Sequence, residues 1–164
     1  MSTKRPSHLN AAGEVHMVNV SDKPATDRRA VAEGRIFAPP GVLSAVMEGS
    51  VPKGDVLAVA RVAAVLACKR TSDLIPLCHP LPLSGVEVRL DVEAKAIRVT
   101  VEVATTAPTG VEMEALTGVS VALLTLYDML KSLDRGLSLS DIRLLSKSGG
   151  KSGTYLAPET KSGM

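Results

Sequence analysis

Tryptophan is absent from this chain of 164 residues, and the other aromatics are one Phe and two Tyr. Platforms that stack the bases of single-stranded nucleic acid are built from aromatic side chains, so such modules are excluded. Charge of one sign is also lacking. Lys and Arg number 19 against 17 Asp and Glu, a formal +2, too little for the basic stripe that neutralises duplex phosphates. Cysteine is scarce: Cys68 and Cys78 are too few for a disulfide scaffold. No CxxC and no metal-ligand spacing involves them or His8, His16 and His79. No apolar run reaches the roughly 18 residues of a membrane span. Lys4 and Arg5 are not followed by the apolar core of a signal peptide. The expectation is a cytoplasmic protein with neither a nucleic-acid nor a membrane partner.

Apolar residues make up 45% of the chain, enough for one domain with a core of Val, Leu, Ala and Met. Residues 1–14 read as a flexible arm and 15–158 as a single domain. A mobile Gly/Lys-rich loop is expected at 146–154, and a flexible tail at 159–164. Val15 to Val20 and Ala30 to Phe37 alternate loosely and are expected as strands. A short helix is expected over Val42 to Glu48, with Pro40 near its start. Asp55 is a suitable N-cap for a helix from Val56 to Lys69. Only Arg61 interrupts that helix's apolar character, so it should be buried nearly all round, in part by another subunit. Leu81 to Val92 and Ile97 to Val103 alternate strictly and predict an antiparallel hairpin. A long helix is expected from Val111 to about Asp134, ended by Gly136, with an apolar seam of Leu116, Val119, Leu123, Leu126, Leu130 and Leu133. A last strand fits within Leu137 to Leu145. The fold class is α+β: an antiparallel sheet with helices packed on one face, the second half resembling a ferredoxin-like arrangement.

The organising stretch is Lys69 to Leu81, KRTSDLIPLCHPL. Pro76 and Pro80 bracket Leu77, Cys78 and His79 and keep them out of a regular helix, so two reactive side chains sit in a stiff loop. Adjacent side chains in a strand-like segment point apart, which argues against a Cys–His nucleophilic pair. Asp128 and Lys131 are three apart on the long helix. At about 100° per residue they share an arc of roughly 60° with Leu124 and Arg135. An exposed ion pair of this kind contributes a few tenths of a kcal/mol at about the usual scale, and the same geometry suits proton transfer. Glu112, Met113 and Glu114 open that helix, where its dipole favours carboxylates. About 21 Å of helix separates Glu114 from Asp128. One small pocket in one chain cannot hold both, so either one lies outside the site or two subunits contribute opposite ends. The segment Lys147-Ser148-Gly149-Gly150-Lys151-Ser152-Gly153 lacks the first Gly of a Walker loop, since Leu145 stands there. Its backbone could still wrap phosphate as a nest. Lys53, in a Pro-Lys-Gly-Asp turn, adds to the cations Lys69, Arg70, Lys131, Lys147 and Lys151.

Taken together, His16 to Val20, Lys53-Gly54-Asp55, Lys69 to Leu81, Thr109 to Leu116, Tyr127-Asp128-Met129 with Lys131, and Lys147 to Gly153 resemble the cyclic pyranopterin monophosphate synthases, protein C of molybdenum cofactor biosynthesis. The resemblance covers nearly the whole chain past the first ten residues. It implies a lyase that converts (8S)-3′,8-cyclo-7,8-dihydroguanosine 5′-triphosphate to cyclic pyranopterin monophosphate and releases pyrophosphate. It implies a homohexamer, a trimer of dimers, with the active site at the dimer interface. By resemblance, Asp128 and Lys131 are the acid–base pair, assisted by Lys53 and His79. Leu77, Cys78, Glu112, Met113 and Glu114 line the purine-derived ring. Lys147 and Lys151 hold phosphates, with Gly149 and Gly150 allowing the wrap. No cofactor is required, and Mg2+ would enter only with the triphosphate. One departure is visible. The family usually has Gly-Lys or Gly-Arg just before Thr109-Gly110, where this chain has Ala107-Pro108. Either another lysine such as Lys69 covers for that cation, or phosphate is held more weakly. The alternatives are a non-catalytic oligomeric nucleotide-binding homologue and an interaction protein built on the apolar helix.

Overall fold

A computed structural model describes residues 8–158. The arm expected at residues 1–7 and the tail expected at 159–164 lie outside them. Five strands form one antiparallel sheet in the order β2-β3-β1-β4-β5. They are β1 (Thr26–Phe37), β2 (Leu83–Val92), β3 (Ala96–Ala107), β4 (Ser138–Ser148) and β5 (Tyr155–Leu156). The helices are α1 (Pro40–Glu48), α2 (Val56–Lys69), the single turn α3 (Thr71–Leu74) and α4 (Glu112–Leu130).

Strand parity decides which face is covered. Ala30, Ala32, Gly34 and Ile36 of β1 lie opposite Val103, Val101, Val99 and Ile97 of β3, and all eight are buried. α4 packs on that face, with Val119, Leu123, Leu126 and Leu130 fully buried. α2 lies beside α4 and reaches β2. Asp55 caps α2 by accepting from the Ala58 N–H at 2.9 Å. The other face carries paired charges. Arg143 Nε donates to the buried Glu33 at 2.9 Å, and Arg29 meets Glu102 at 2.8 Å. α4 is the one described helix long and apolar enough to cross a membrane. Its apolar side is spent on the sheet and on α2, as in a core helix.

Several boundaries differ from expectation. Val15 to Val20 form no strand; the only pairing there is an isolated bridge between Leu9 and Val15. The segment adds to neither edge of the sheet, which β2 and β5 occupy. β1 begins at Thr26, and β3 continues through Thr105 to Ala107, because those two ends pair with each other. α4 stops at Leu130. The Leu133 and Asp134 N–H groups turn back to the Leu130 carbonyl, and the Tyr127 hydroxyl ties down the Arg135 carbonyl at 3.1 Å. At the other end of the chain, Ser146 and Lys147 pair with Leu156 and Tyr155 in a β4–β5 hairpin. Helix α2 is not buried all round in the single chain: Val59, Val62 and Leu66 are 46%, 60% and 51% exposed.

Candidate active site

Two adjoining cavities open at the N-terminal end of α4. The first, about 510 Å³, has apolar walls that include Val18, Ile75, Leu77 and Met113, and polar groups from Cys78, His79, Glu112 and Glu114. The second, about 540 Å³, is lined by Lys23, Arg28, Lys147, Gly150 and Lys151, among others. Lys23, Thr109, Gly110 and Glu112 belong to both, so the two form one groove with an apolar end and a cationic end.

Local chemistry places these side chains. The Ile75 N–H closes α3 on the Thr71 carbonyl, and the Cys78 N–H returns to the Ile75 carbonyl at 3.1 Å. Residues 75–78 therefore form a turn rather than a strand, and both Cys78 and His79 reach the cavity. That differs from the alternation expected of a strand-like segment. His79 Nε2 lies 2.7 Å from the Val18 carbonyl oxygen. Glu114 is 4% exposed. Burial, and secondarily the charge of Glu112, raises its pKa above the ordinary carboxyl range. Burial and then Glu114 raise the Cys78 thiol in turn. Cys68, deeper behind it, is pushed up to about 12 by burial and then Glu114. A thiol held protonated is a poor nucleophile, which opposes covalent catalysis through Cys78.

The cationic end is built by β1, by the hairpin of β4 and β5, and by the loop after β3. Arg28 Nε donates to the Ala107 carbonyl at 2.9 Å, and Nη2 to the Pro108 carbonyl at 3.2 Å. Lys147 lies 3.8 Å from Glu112 Oε1 and bonds the Ser152 hydroxyl. Gly149 and Gly150 have φ of 93° and 73°, in the left-handed region that suits glycine. A β-carbon at Gly149 would strike the Asp27 carbonyl, and one at Gly150 the Arg28 guanidinium. Only glycines let the turn lie this close on β1.

The expected site residues therefore fall into groups. Leu77, Cys78, His79, Glu112, Met113 and Glu114 meet in the first cavity; Lys147, Gly150 and Lys151 meet in the second, with Gly149 against its rim. Lys69, exposed at the end of α2, lines neither. Lys53, Asp128 and Lys131 form a separate cluster at the C-terminal end of α4. Lys131 Nζ is 2.7 Å from Asp128 Oδ1. Lys53 Nζ is 3.3 Å from Oδ2 and donates to the Asp128 backbone carbonyl at 2.7 Å. That carbonyl is one of the last four of the helix, which lack intrahelical donors. Hydrogen bonds from Lys131 and then Lys53 lower the Asp128 pKa, so this exposed carboxylate stays ionised.

A sequence profile described as the MoaC family matches residues 17–150. The chain belongs to the MoaC family. It is 58% identical over 153 residues to the cyclic pyranopterin monophosphate synthase of Methylobacterium sp. (strain 4-46), covering 92% of this chain and 96% of that protein. It is 53% identical over 159 residues to the synthase of the same name from Parvibaculum lavamentivorans, covering 96% and 99%. The corresponding protein of Thermomicrobium roseum is 54% identical over 151 residues, covering 91% of each chain. The Arg28 side chain reaches the Ala107-Pro108 loop and lines the cationic cavity. Sequence reasoning missed Arg28, Lys23 and the pocket-lining His8. Arg28 carried a signal: it shares the parity of Ala30, Ala32, Gly34 and Ile36, so it is a charge on the apolar side of a strand.

Proposed function

We propose that this MoaC-family chain is a lyase that converts (8S)-3′,8-cyclo-7,8-dihydroguanosine 5′-triphosphate to cyclic pyranopterin monophosphate with release of pyrophosphate, in molybdenum cofactor biosynthesis. One observation carries it: an apolar cavity edged by carboxyls and an imidazole runs into a cavity lined by Lys23, Arg28, Lys147 and Lys151. A purine-derived ring with a triphosphate tail has those two halves. The similarity of the chain to proteins bearing the synthase name, over nearly its full length, supports the same reading.

The chemistry follows from the environments. Glu114, held protonated to higher pH by burial, is suited to donate a proton to the ring and recover it, as a general acid–base group should. Glu112, Met113, Leu77, Cys78 and His79 surround the ring. Lys147 and Lys151, with Arg28 in place of the absent loop cation, stabilise charge on the departing pyrophosphate. Gly149 and Gly150 let that turn wrap. Lys69 is too far out on α2 to line the groove and is left as a peripheral cation. Asp128, Lys131 and Lys53 are the acid–base cluster for ring opening and rearrangement. No cofactor is required. Mg2+ arrives with the triphosphate, and among the described residues no group of His, Cys, Asp or Glu is arranged to hold a metal.

The two clusters lie at opposite ends of α4, about 21 Å apart by helical rise. They meet if two chains pack their helical layers about a two-fold axis perpendicular to α4, which sets the N-terminal end of one α4 beside the C-terminal end of the other. The exposed Val59, Val62, Leu66 and Leu124 on the outer side of α2 and α4 are the apolar surface such packing would bury. This fits a trimer of dimers with the active site at the dimer interface, working in the cytoplasm.

The test is incubation with the cyclised triphosphate, following pyrophosphate. Catalytic release is expected, and it should vanish in Asp128→Asn and Lys131→Ala while fold and assembly persist. Tight binding without release would instead identify a nucleotide-binding homologue.

A further inference from the structure

His79 is tied to a segment 61 residues away by a single contact, Nε2 to the Val18 carbonyl at 2.7 Å. A carbonyl oxygen can only accept, so Nε2 must carry a proton. In the neutral ring, Nδ1 is then the unprotonated nitrogen. Nδ1 has no hydrogen-bond partner among the described residues, and the ring lines the first cavity. We propose that Nδ1 is the atom His79 presents to bound ligand, and that the Val18 backbone carbonyl is the positioning group that enforces this tautomer. The proposal deepens the function given above, since it says how His79 acts in the same cavity.

The arrangement has a mechanical consequence. When Nδ1 takes a proton, the Nε2–H bond to Val18 is kept and becomes charge-assisted, hence stronger. The ring can gain and return a proton without swinging. The anchor also holds a wall of the groove. Residues 16–25 have no regular secondary structure, yet Val18, Val20 and Lys23 line the cavity. If His79 worked through Nε2 instead, each cycle would have to release this segment.

Two measurements test this, and the first needs no turnover. Protein labelled with 15N-histidine is examined by multiple-bond 1H–15N spectra at a pH where the ring is neutral, with His79 assigned by the signal lost in His79→Gln. An Nε2-protonated tautomer is expected. A dominant Nδ1-protonated form, or an even mixture, overturns the proposal. The second compares His79→Gln with His79→Asn. The Gln amide nitrogen falls where Nε2 was and can still donate to Val18, but nothing accepts at the Nδ1 position. Asn places a group near Nδ1 but does not reach Val18. Gln is expected to keep hydrogen-exchange protection across residues 16–25 and lose at least about a hundredfold in kcat, the low end for a removed acid–base group. Asn is expected to lose that protection. Equal loss of protection in both variants, or wild-type kcat in the Gln variant, counts against the assignment. Absence of turnover in the unaltered protein would sink the proposed reaction alone, and the tautomer spectrum would still decide which nitrogen carries the proton and so whether the Val18 carbonyl enforces the tautomer.

Discussion

Glu112 and Glu114 share a helical turn but not an environment. Glu112 is half-buried and faces Lys147 at 3.8 Å. Glu114 is 4% exposed and has no ion pair among the described residues. Its folded pKa is raised, by burial first and by Glu112 second, so the native state binds a proton that the unfolded chain has already lost. Stability therefore falls as pH rises from the unfolded carboxyl value of about 4.3 through the folded one, and the penalty is constant above that. Glu114→Gln removes the penalty. Its Tm relative to the unaltered protein should climb as pH rises above the unfolded carboxyl value of about 4.3, as read by thermal unfolding in matched buffers. A gap that does not change with pH would show that Glu114 is not held protonated by its surroundings. Turnover should fall in the same variant, because an amide cannot return a proton. Asp128 has the opposite sign: its pKa is lowered by Lys131 and then Lys53, so its contribution would disappear at low pH. It is exposed, so that contribution is small, and Asp128→Asn is chiefly a change in chemistry.

Between α2 and α4 the packing is close enough to be tested with one methyl group. A β-carbon at Gly118 would lie 2.6 Å from Cys68 Sγ, 3.2 Å from Val101 Cγ1 and 3.4 Å from the Ala64 carbonyl. An alanine in mid-helix ordinarily gains about 1 kcal/mol over glycine. Here overpacking, about 1–3 kcal/mol, should exceed that gain, and Gly118→Ala should lower the denaturant midpoint. Adding Cys68→Ala should recover part of the loss non-additively. A stabilised single variant would mean that the helices have room to separate. At this scale the sequence was most readable where the signal is local. Asp55 caps α2 as expected, and the alternation of Ile97, Val99, Val101 and Val103 lies on the covered face. The exclusion of Leu77 to His79 from regular helix and the helix start at Glu112 were legible because proline and helix-start rules act over a few residues, whereas the turn at 75–78 was not. What was misread depends on distant partners. Val15 to Val20 alternate like a strand but join neither edge of the sheet, which β2 and β5 occupy. β5 exists only because Ser146 and Lys147 offer it a pairing edge. The reach of Arg28 to Pro108 spans 80 residues. Apart from the β4–β5 pairing, whose partners are eight and ten residues apart, none of these is written in a window of ten residues.

At the scale of the whole molecule, one helix holds two sets of candidate catalytic groups at its two ends. Within a chain, Lys53, Asp128 and Lys131 cluster by themselves, while His79, Glu112 and Glu114 face the groove at the far end. If the working site is composite, two inactive proteins should rescue each other. Glu112→Gln disables the first end and Asp128→Asn the second. When the two are unfolded together, mixed equally and refolded, half the dimers are hybrids. Each hybrid has one site built from both intact ends and one built from both altered ends. About a quarter of the original sites should return under random pairing about a two-fold axis, measured as pyrophosphate release against a refolded unaltered control. Neither variant refolded alone should recover. Leu66→Glu in both partners should abolish the rescue, because Leu66 belongs to the exposed apolar surface of α2 that the pairing would bury. No recovery from hybrids whose assembly is verified by mass would mean that each chain works alone, and the cluster around Asp128 would then be an ion pair on the surface of a helix end.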